Sequence, residues 1–509
     1  MHSRRGANRM IQLYSAEQCR TLDRLALDSL EISGFELMQR AGRAAFNELI
    51  HRWPQARTLT VYCGKGNNAG DGYIIAGLAR ALGLEVDVLE TGAGALKGDA
   101  LLARNWVLER DVHPRDVSLI GELPPADVVV DALLGTGLTG ALRPPFAALV
   151  ARINTSGRPV LAVDIPSGVN ADTGAVVDAA VRADVTVTFI GRKIGLTTGA
   201  GLEHAGEVVF ADLGVDAASR RQLQGVNWLT LSALLEWRPL PVRTAAAYKQ
   251  ALGHVVVVGG DRSMGGAPLM AAEAALRSGA GMVTVVTRGA HRNAILSRRP
   301  ELMVVDADSE TERAEAFSRA SLFVLGPGLG RDDWGHRLLQ AVLDTGKRVV
   351  IDADGLNGLV ELGATPAAPC VITPHVGEAA RLLGESSAGI QADRPGAACR
   401  LARRVGGIAV LKGAGTVVAG CPDASPEQAG SAAVLGICAH GNPGMATAGM
   451  GDVLAGIIGG LWAQGADEQT AALTGVCLHS RAADLAVKQV GERSLLATDL
   501  LPHLMTLLR

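Results

Sequence analysis

Asp452 stands at the end of the stretch GNPGMATAGMGD (441–452), behind Gly441, Gly444, Gly449 and Gly451, and the apolar run VLAGIIGGLWAQG follows it. Glycines let a backbone approach a phosphate closely, and the N–H groups that open a helix favour negative charge. A carboxylate there suits taking a proton from a hydroxyl that then attacks a phosphoryl group. Alone, Asp452 also reads as a helix cap. Met450 donates no side-chain hydrogen bond, so the chemistry of the loop rests on Gly451 and Asp452.

Further loops of the same kind lie in the second half of the chain: GGDRSMGGA (259–267), GPGLG (326–330), TPHVGE (373–378) and KGAGT (412–416). Thr373-Pro374 imposes an extended turn that leaves His375 and Glu378 at a strand end. Lys412 beside a glycine turn can meet a phosphate as a point charge, or be a solvated lysine flanking a hairpin.

The first half carries its own set. GKGNNAGDG (64–72) follows an apolar strand and opens a helix. It matches neither GxGxxG followed by a distant acid nor the GK[ST] ending of a P-loop, so a phosphate site and a plain tight turn both fit. DALLGTGLTGALRPP (131–145) and DIPSG (164–168) end the next strands. Asn68, Asp131 and Ser167 are hard oxygen donors on three neighbouring strand ends, a set that suits K⁺.

The elements that must position these residues alternate. Residues 15–50 read as helix, with Ser15 and Gln18 in capping-box spacing. Strands are expected in 58–64, 84–90, 126–135, 158–168, 183–191 and 206–214, with a helix over 71–83. Buried apolar strands separated by helices mean a parallel sheet covered on both faces, with ligands beyond the carboxyl ends of its strands. The segment 221–247 offers no matching strand and marks a boundary near residue 222. Strand, glycine turn and helix then restart at 253–281, and residues 420–436 read as a polar excursion. The expectation is therefore two α/β domains, 1–222 and 223–509.

Composition narrows the class. The chain has 509 residues, 48% hydrophobic, with 63 glycines and a formal net charge of −3. A globular chain so near neutrality gives no electrostatic reason to bind nucleic acid or an anionic membrane. The seven cysteines, at 19, 63, 370, 399, 421, 438 and 477, include no CxxC spacing. They read as reduced thiols in a cytoplasmic protein. The N-terminus lacks a signal-peptide apolar region, and no apolar run reaches the ~18 residues that span a bilayer.

GKGNNAGDG, DALLGTGL with RP following, DIPSG and the early ELMQRAG (36–42) together resemble the YjeF N-terminal domain, the NAD(P)H-hydrate epimerase family, over roughly residues 10–218. GHVVVVGGD, PELMV, GPGLG, DADGLN, TPHVGE, KGAGT and GNPGMATAGMGDVLAG resemble the YjeF C-terminal domain, the ADP/ATP-dependent NAD(P)H-hydrate dehydratases of the ribokinase-like superfamily, over roughly 228–507. The resemblance implies a Rossmann-like three-layer sandwich followed by a ribokinase-like α/β domain. It implies that Asn67, Asn68, Ala69, Gly70 and Asp71, with Gly135, Thr136, Gly137, Leu138, Thr139, Gly140 and Ala141, cradle a hydrated dinucleotide. Asp164 would be the acid/base, and Asn68, Asp131 and Ser167 would bind K⁺. In the second domain Ala267, Gly330, His375 and Asp452 would contact the hydrated dinucleotide. Lys412, Gly413, Ala414, Gly415, Thr416 and Gly451 would hold ADP, with Mg²⁺ on its phosphates. Asp452 would deprotonate the C6 hydroxyl. The implied activity is bifunctional repair of hydrated NADH and NADPH by a homo-oligomer. The alternatives are a vitamin-precursor kinase, of the hydroxymethylpyrimidine or hydroxyethylthiazole type, fused to a nucleotide-binding module, and a non-catalytic first domain.

Overall fold

The computed structural model describes residues 10–91, 94, 96–119, 126–420 and 432–509. Cys421 and most of the polar stretch 420–436 lie outside them. The chain divides into two compact units, Gln12–Val226 and Asn227–Arg509, the latter also taking in Met10 and Ile11. Among the described residues no helix is long and apolar enough to cross a membrane, and the described cysteines are free thiols.

The first unit is built on a seven-stranded sheet. Its strands are β1 (Thr58–Cys63), β2 (Glu85–Glu90), β3 (Arg115–Asp116), β4 (Val128–Ala132), β5 (Val160–Val163), β6 (Val185–Phe189) and β7 (Glu207–Ala211). They run in the order β3-β2-β1-β4-β5-β6-β7, every pairing parallel. β4 and β5 are buried along their whole length, as apolar strands covered on both faces must be. The order reverses between β1 and β4, and at such a switch point the strand ends splay apart and leave a crevice.

Two expectations about the first unit change. Residues 15–50 form two helices, α1 (Ala16–Leu30) and α2 (Gly34–Arg52). Glu31 turns left-handed at φ 52 and ends α1, and Ser33 caps α2. The helix after β1, α3 (Asn67–Ala81), begins four residues earlier than Asp71. Asn67 to Asp71 are thus its opening turns. Gly64 and Gly70 are there for packing: a Cβ on Gly64 would sit 1.8 Å from the Leu133 carbonyl oxygen, and one on Gly70 2.4 Å from Met38 Sδ. Gly66 faces open space.

The second unit carries β8 (Val226–Leu229), β9 (His254–Val258), β10 (Met282–Thr287), β11 (Met303–Asp306), β12 (Leu322–Leu325), β13 (Val349–Ile351), β14 (Cys370–Ile372), β15 (Ile408–Leu411), β16 (Val417–Gly420) and β17 (Ala433–Cys438). Their order is β11-β10-β9-β12-β13-β14-β15-β16-β17-β8. β16 alone among them runs antiparallel to its neighbours. Two expectations fail here. Segment 221–247 does hold a strand, β8, which pairs parallel with β17. Only four residues long and half-buried, it shows no apolar run to read. The polar excursion ends at β17, which starts at Ala433. Again the order reverses, between β9 and β12.

Asp452 rides on α7 (Met450–Ala463), which packs against α6 (Gly266–Arg277). The glycines of VLAGIIGG make this possible: a Cβ on Gly456 would lie 2.1 Å from the Ala271 carbonyl oxygen. Close helix approach through small residues fixes where the N-terminus of α7 points.

Candidate active sites

At the switch point of the first unit lies a cleft of about 750 Å³. Asn67, Asn68 and Asp71 line it from α3, and Gly135, Thr136, Gly137, Leu138, Thr139 and Ala141 line it from the loop after β4. Ala69, Gly70 and Gly140 do not line it; Ala69 is buried and its carbonyl accepts from Cys63 Sγ.

Beneath the cleft the three oxygen-bearing side chains converge. Asp131, fully buried, takes Ser167 Oγ at 2.6 Å on one oxygen and the Ser167 N–H at 2.8 Å on the other. Burial raises its carboxyl to about 6 although the Ser167 bonds oppose this. The Leu134 N–H donates to Ser167 Oγ at 2.8 Å, and Asn68 Nδ2 donates to the Leu134 carbonyl at 3.0 Å. Asn68 Oδ1 is buried without a hydrogen-bond partner. An orphaned amide oxygen, tied through Leu134 and Ser167 to a buried carboxylate, is a donor set of hard oxygens whose chemistry fits a cation.

Asp164 is held at φ 67, a conformation costly for a residue with a Cβ. Its carboxylate accepts from the Lys193 ammonium, the Phe189 N–H (3.2 Å) and Thr188 Oγ1 (3.3 Å). Lys193 is 2% exposed. Burial works against its charge, but Asp164 raises it above the usual lysine range. It is placed by a short parallel pairing of Arg192–Lys193 with Leu13 and Tyr14. Sequence reading missed Lys193, as it missed Asp23 from α1 and the basic Arg20, Lys65 and Arg143 on the rim of the same cleft. The signal available was the Arg192-Lys193 pair inside the otherwise apolar FIGRKIG.

In the second unit the strand ends of β9 and β12 to β15 carry the loops. Lys412, after β15, donates to Asp352 at 2.6 Å and lies 3.9 Å from Glu378. It is therefore not a solvated lysine. Burial opposes its charge, yet Asp352 and Glu378 raise it above the usual range. Asp452, in the first turn of α7, has its carboxyl raised to about 7 by burial and by Asp352, against the pull of Lys412. No side-chain cap bond is made at the α7 N-terminus, so Asp452 is not spent as a cap. Gly451 lies so close that a Cβ would meet Asp352 Oδ2 at 2.9 Å and Lys412 Nζ at 3.0 Å.

His375 caps the helix Val376–Leu383, and its Nδ1 accepts from the N–H groups of Gly377 (3.0 Å) and Glu378 (3.3 Å). That fixes Nε2 as the N–H donor. Burial and then the Lys412 charge lower its basicity, keeping the ring neutral. The Gly330 N–H donates to Asp354 at 3.0 Å, and Asp354 also acts on Asp452. Ala267 opens toward Gly328 of the neighbouring loop. KGAGT is gripped from below: the buried Arg394 donates to the Leu411 (3.3 Å) and Lys412 (3.2 Å) carbonyls, and Thr416 Oγ1 closes the turn on the Gly413 carbonyl at 3.1 Å. Asp352, Asp354 and Arg394 were not singled out from the sequence.

Residues 255–505 match the family described as NAD(P)H-hydrate dehydratase, and residues 34–195 match the YjeF-related protein N-terminus. The bifunctional NAD(P)H-hydrate repair enzyme Nnr of Coxiella burnetii is 46% identical, over 98% of this chain and 99% of its own length. The enzyme of the same name from Escherichia coli is 44% identical, over 96% and 92%. The chain belongs to the bifunctional NAD(P)H-hydrate repair enzyme family. Among solved structures, the ADP/ATP-dependent NAD(P)H-hydrate dehydratase of Bacillus subtilis, co-crystallised with ATP/Mg²⁺, is 28% identical and covers 56% of this chain and 98% of its own, at a TM-score of 0.47.

The repair enzyme is thus a nucleotide-dependent NAD(P)H-hydrate dehydratase and an NAD(P)H-hydrate epimerase in one chain. A vitamin-precursor kinase is not favoured.

Proposed function

We propose that the epimerase activity resides in the first unit and the dehydratase activity in the second, with ADP as co-substrate. In the first, the dinucleotide lies along the cleft between α3 and the Gly135–Ala141 loop, and Asp164 moves the proton at C6. The observation that carries this is Asp164 itself: a strained aspartate, held by a buried lysine, facing a cleft at the switch point. K⁺ fits the orphaned Asn68 Oδ1 together with Asp131 and Ser167. Bound there, it would neutralise the Asp131 carboxylate and tie the start of α3 to the loop after β4.

In the second unit Asp452 takes the proton from the C6 hydroxyl of the S epimer. The oxygen attacks the terminal phosphoryl group of ADP, AMP departs, and elimination of the phosphate restores the dihydronicotinamide. His375, with Nδ1 held by the backbone and Nε2 3.3 Å from Glu378 Oε1, orients the substrate through that ring edge. The turn at Lys412–Thr416 and the Gly451 N–H receive the phosphates. Mg²⁺ would be held through the nucleotide phosphates that the Lys412–Thr416 turn receives, and would supply shielding of their negative charge.

The test is hydrated NADH with ADP or ATP in parallel, following recovery of dihydronicotinamide absorbance and the appearance of AMP or ADP. Asp452→Asn should abolish recovery while the epimers still interconvert; Asp164→Asn should do the reverse. Omitting K⁺ should slow epimerisation alone.

A further inference from the structure

Inverting C6 needs a proton delivered and a proton removed, and one carboxylate held by a lysine does only half of this. The cleft holds a second candidate. Asp71, in the opening turns of α3, lines the same cleft as Asp164, Lys193 and Asp23, and the charges of all three act on it. It is 9% exposed. Its carboxyl makes no hydrogen bond among the described residues, whereas Asp164 in the same cleft accepts several. A buried carboxyl left without donors is the arrangement that keeps its own proton.

We propose that Asp71 is the second catalytic group of the epimerase site, protonating the departing C6 hydroxyl while Asp164 takes a proton from the water that returns on the opposite face. The proposal rests on the reading of Asp164 given above. The ring nitrogen N1 pushes its lone pair toward C6 as the C6–O bond breaks, and the hydroxyl leaves as water with the Asp71 proton. A water then adds to C6 from the other face, the N1=C6 electrons return to nitrogen, and Asp164 receives the surplus proton. Transfer of that proton from Asp164 to Asp71 restores the site, and the reaction consumes nothing. The charges around Asp71 agree with this division. Burial raises it well above the usual carboxylate range, the charges of Asp164 and Asp23 raise it further, and only Lys193 opposes them. Lys193 pairs with Asp164, not with Asp71, so this buried ammonium in the cleft fixes which carboxylate is the base.

The experiment measures epimerisation of the purified R epimer by full-length wild type, Asp71→Asn and Asp164→Asn, with dehydration of the S epimer as the control for folding. Asp71→Asn should lower kcat about a hundredfold or more with KM little changed. It should also remove the alkaline limb of the pH profile, because an acid must hold its proton to act. In ¹⁸O-labelled water the wild type should place ¹⁸O at C6 at the rate of inversion. Wild-type-like kcat in Asp71→Asn, an effect on KM alone, or inversion that retains the original oxygen would overturn the proposal. If Asp164→Asn also epimerises normally, the site assignment itself fails; if only Asp71→Asn does, the second group alone is wrong.

Discussion

At the residue scale the two proposed carboxylates stand in different company, Asp164 beside a buried lysine and Asp452 among other acids. Asp452 sits among Asp352, Asp354 and Glu378 with a single ammonium, Lys412, and its carboxyl is raised to about 7. A general base works only when ionised, so dehydratase kcat/KM should climb with pH through an acidic limb near 7. A profile flat from pH 5 to 8 would contradict Asp452 as the base. The sign for stability is the reverse: a carboxyl raised on folding loses stability as pH rises through 7. Asp452→Asn should therefore raise Tm more at pH 8 than at pH 5, read by thermal denaturation in the two buffers. Residues flanked by glycines were legible in the sequence because glycine marks loops. Lys193, Asp352 and Arg394 were not, because each is a charged letter in an apolar or unremarkable run, and only pairing across distant strands shows what it holds.

At the element scale, the turns matter more than the letters in them. Gly451 has room for no side chain between Asp352 and Lys412. Gly451→Ala must push that ion pair aside, and dehydration should fall at least tenfold while epimerisation is unchanged. Arg394 fixes both carbonyls that open the KGAGT turn. Arg394→Met should raise the KM for the nucleotide more than it lowers kcat, a split that nucleotide titrations at saturating hydrate would read. Strand periodicity gave the long apolar elements well, since buried parallel strands are continuous apolar runs. It failed at β8, whose residues are half-buried, and at the start of α3, where Asn-Asn-Ala-Gly reads as loop by propensity. Tertiary packing overrides that propensity: Gly70 lies against Met38 and Gly42 against Ile74.

At the scale of the whole molecule, two sheets each reverse their strand order once, and each reversal lies beside a set of loops that was picked out from sequence alone. With the epimerase activity proposed in one unit and the dehydratase activity in the other, the two should be separable by mutation. The central claim is tested by mixing Asp164→Asn and Asp452→Asn chains, each alone and then together, with the R epimer of hydrated NADH and excess ADP, and following dihydronicotinamide absorbance. Each variant alone should recover cofactor no faster than spontaneous epimerisation allows, and the mixture should restore wild-type-like recovery at matched concentrations of the intact sites. Recovery at the wild-type rate by either variant alone would contradict the account.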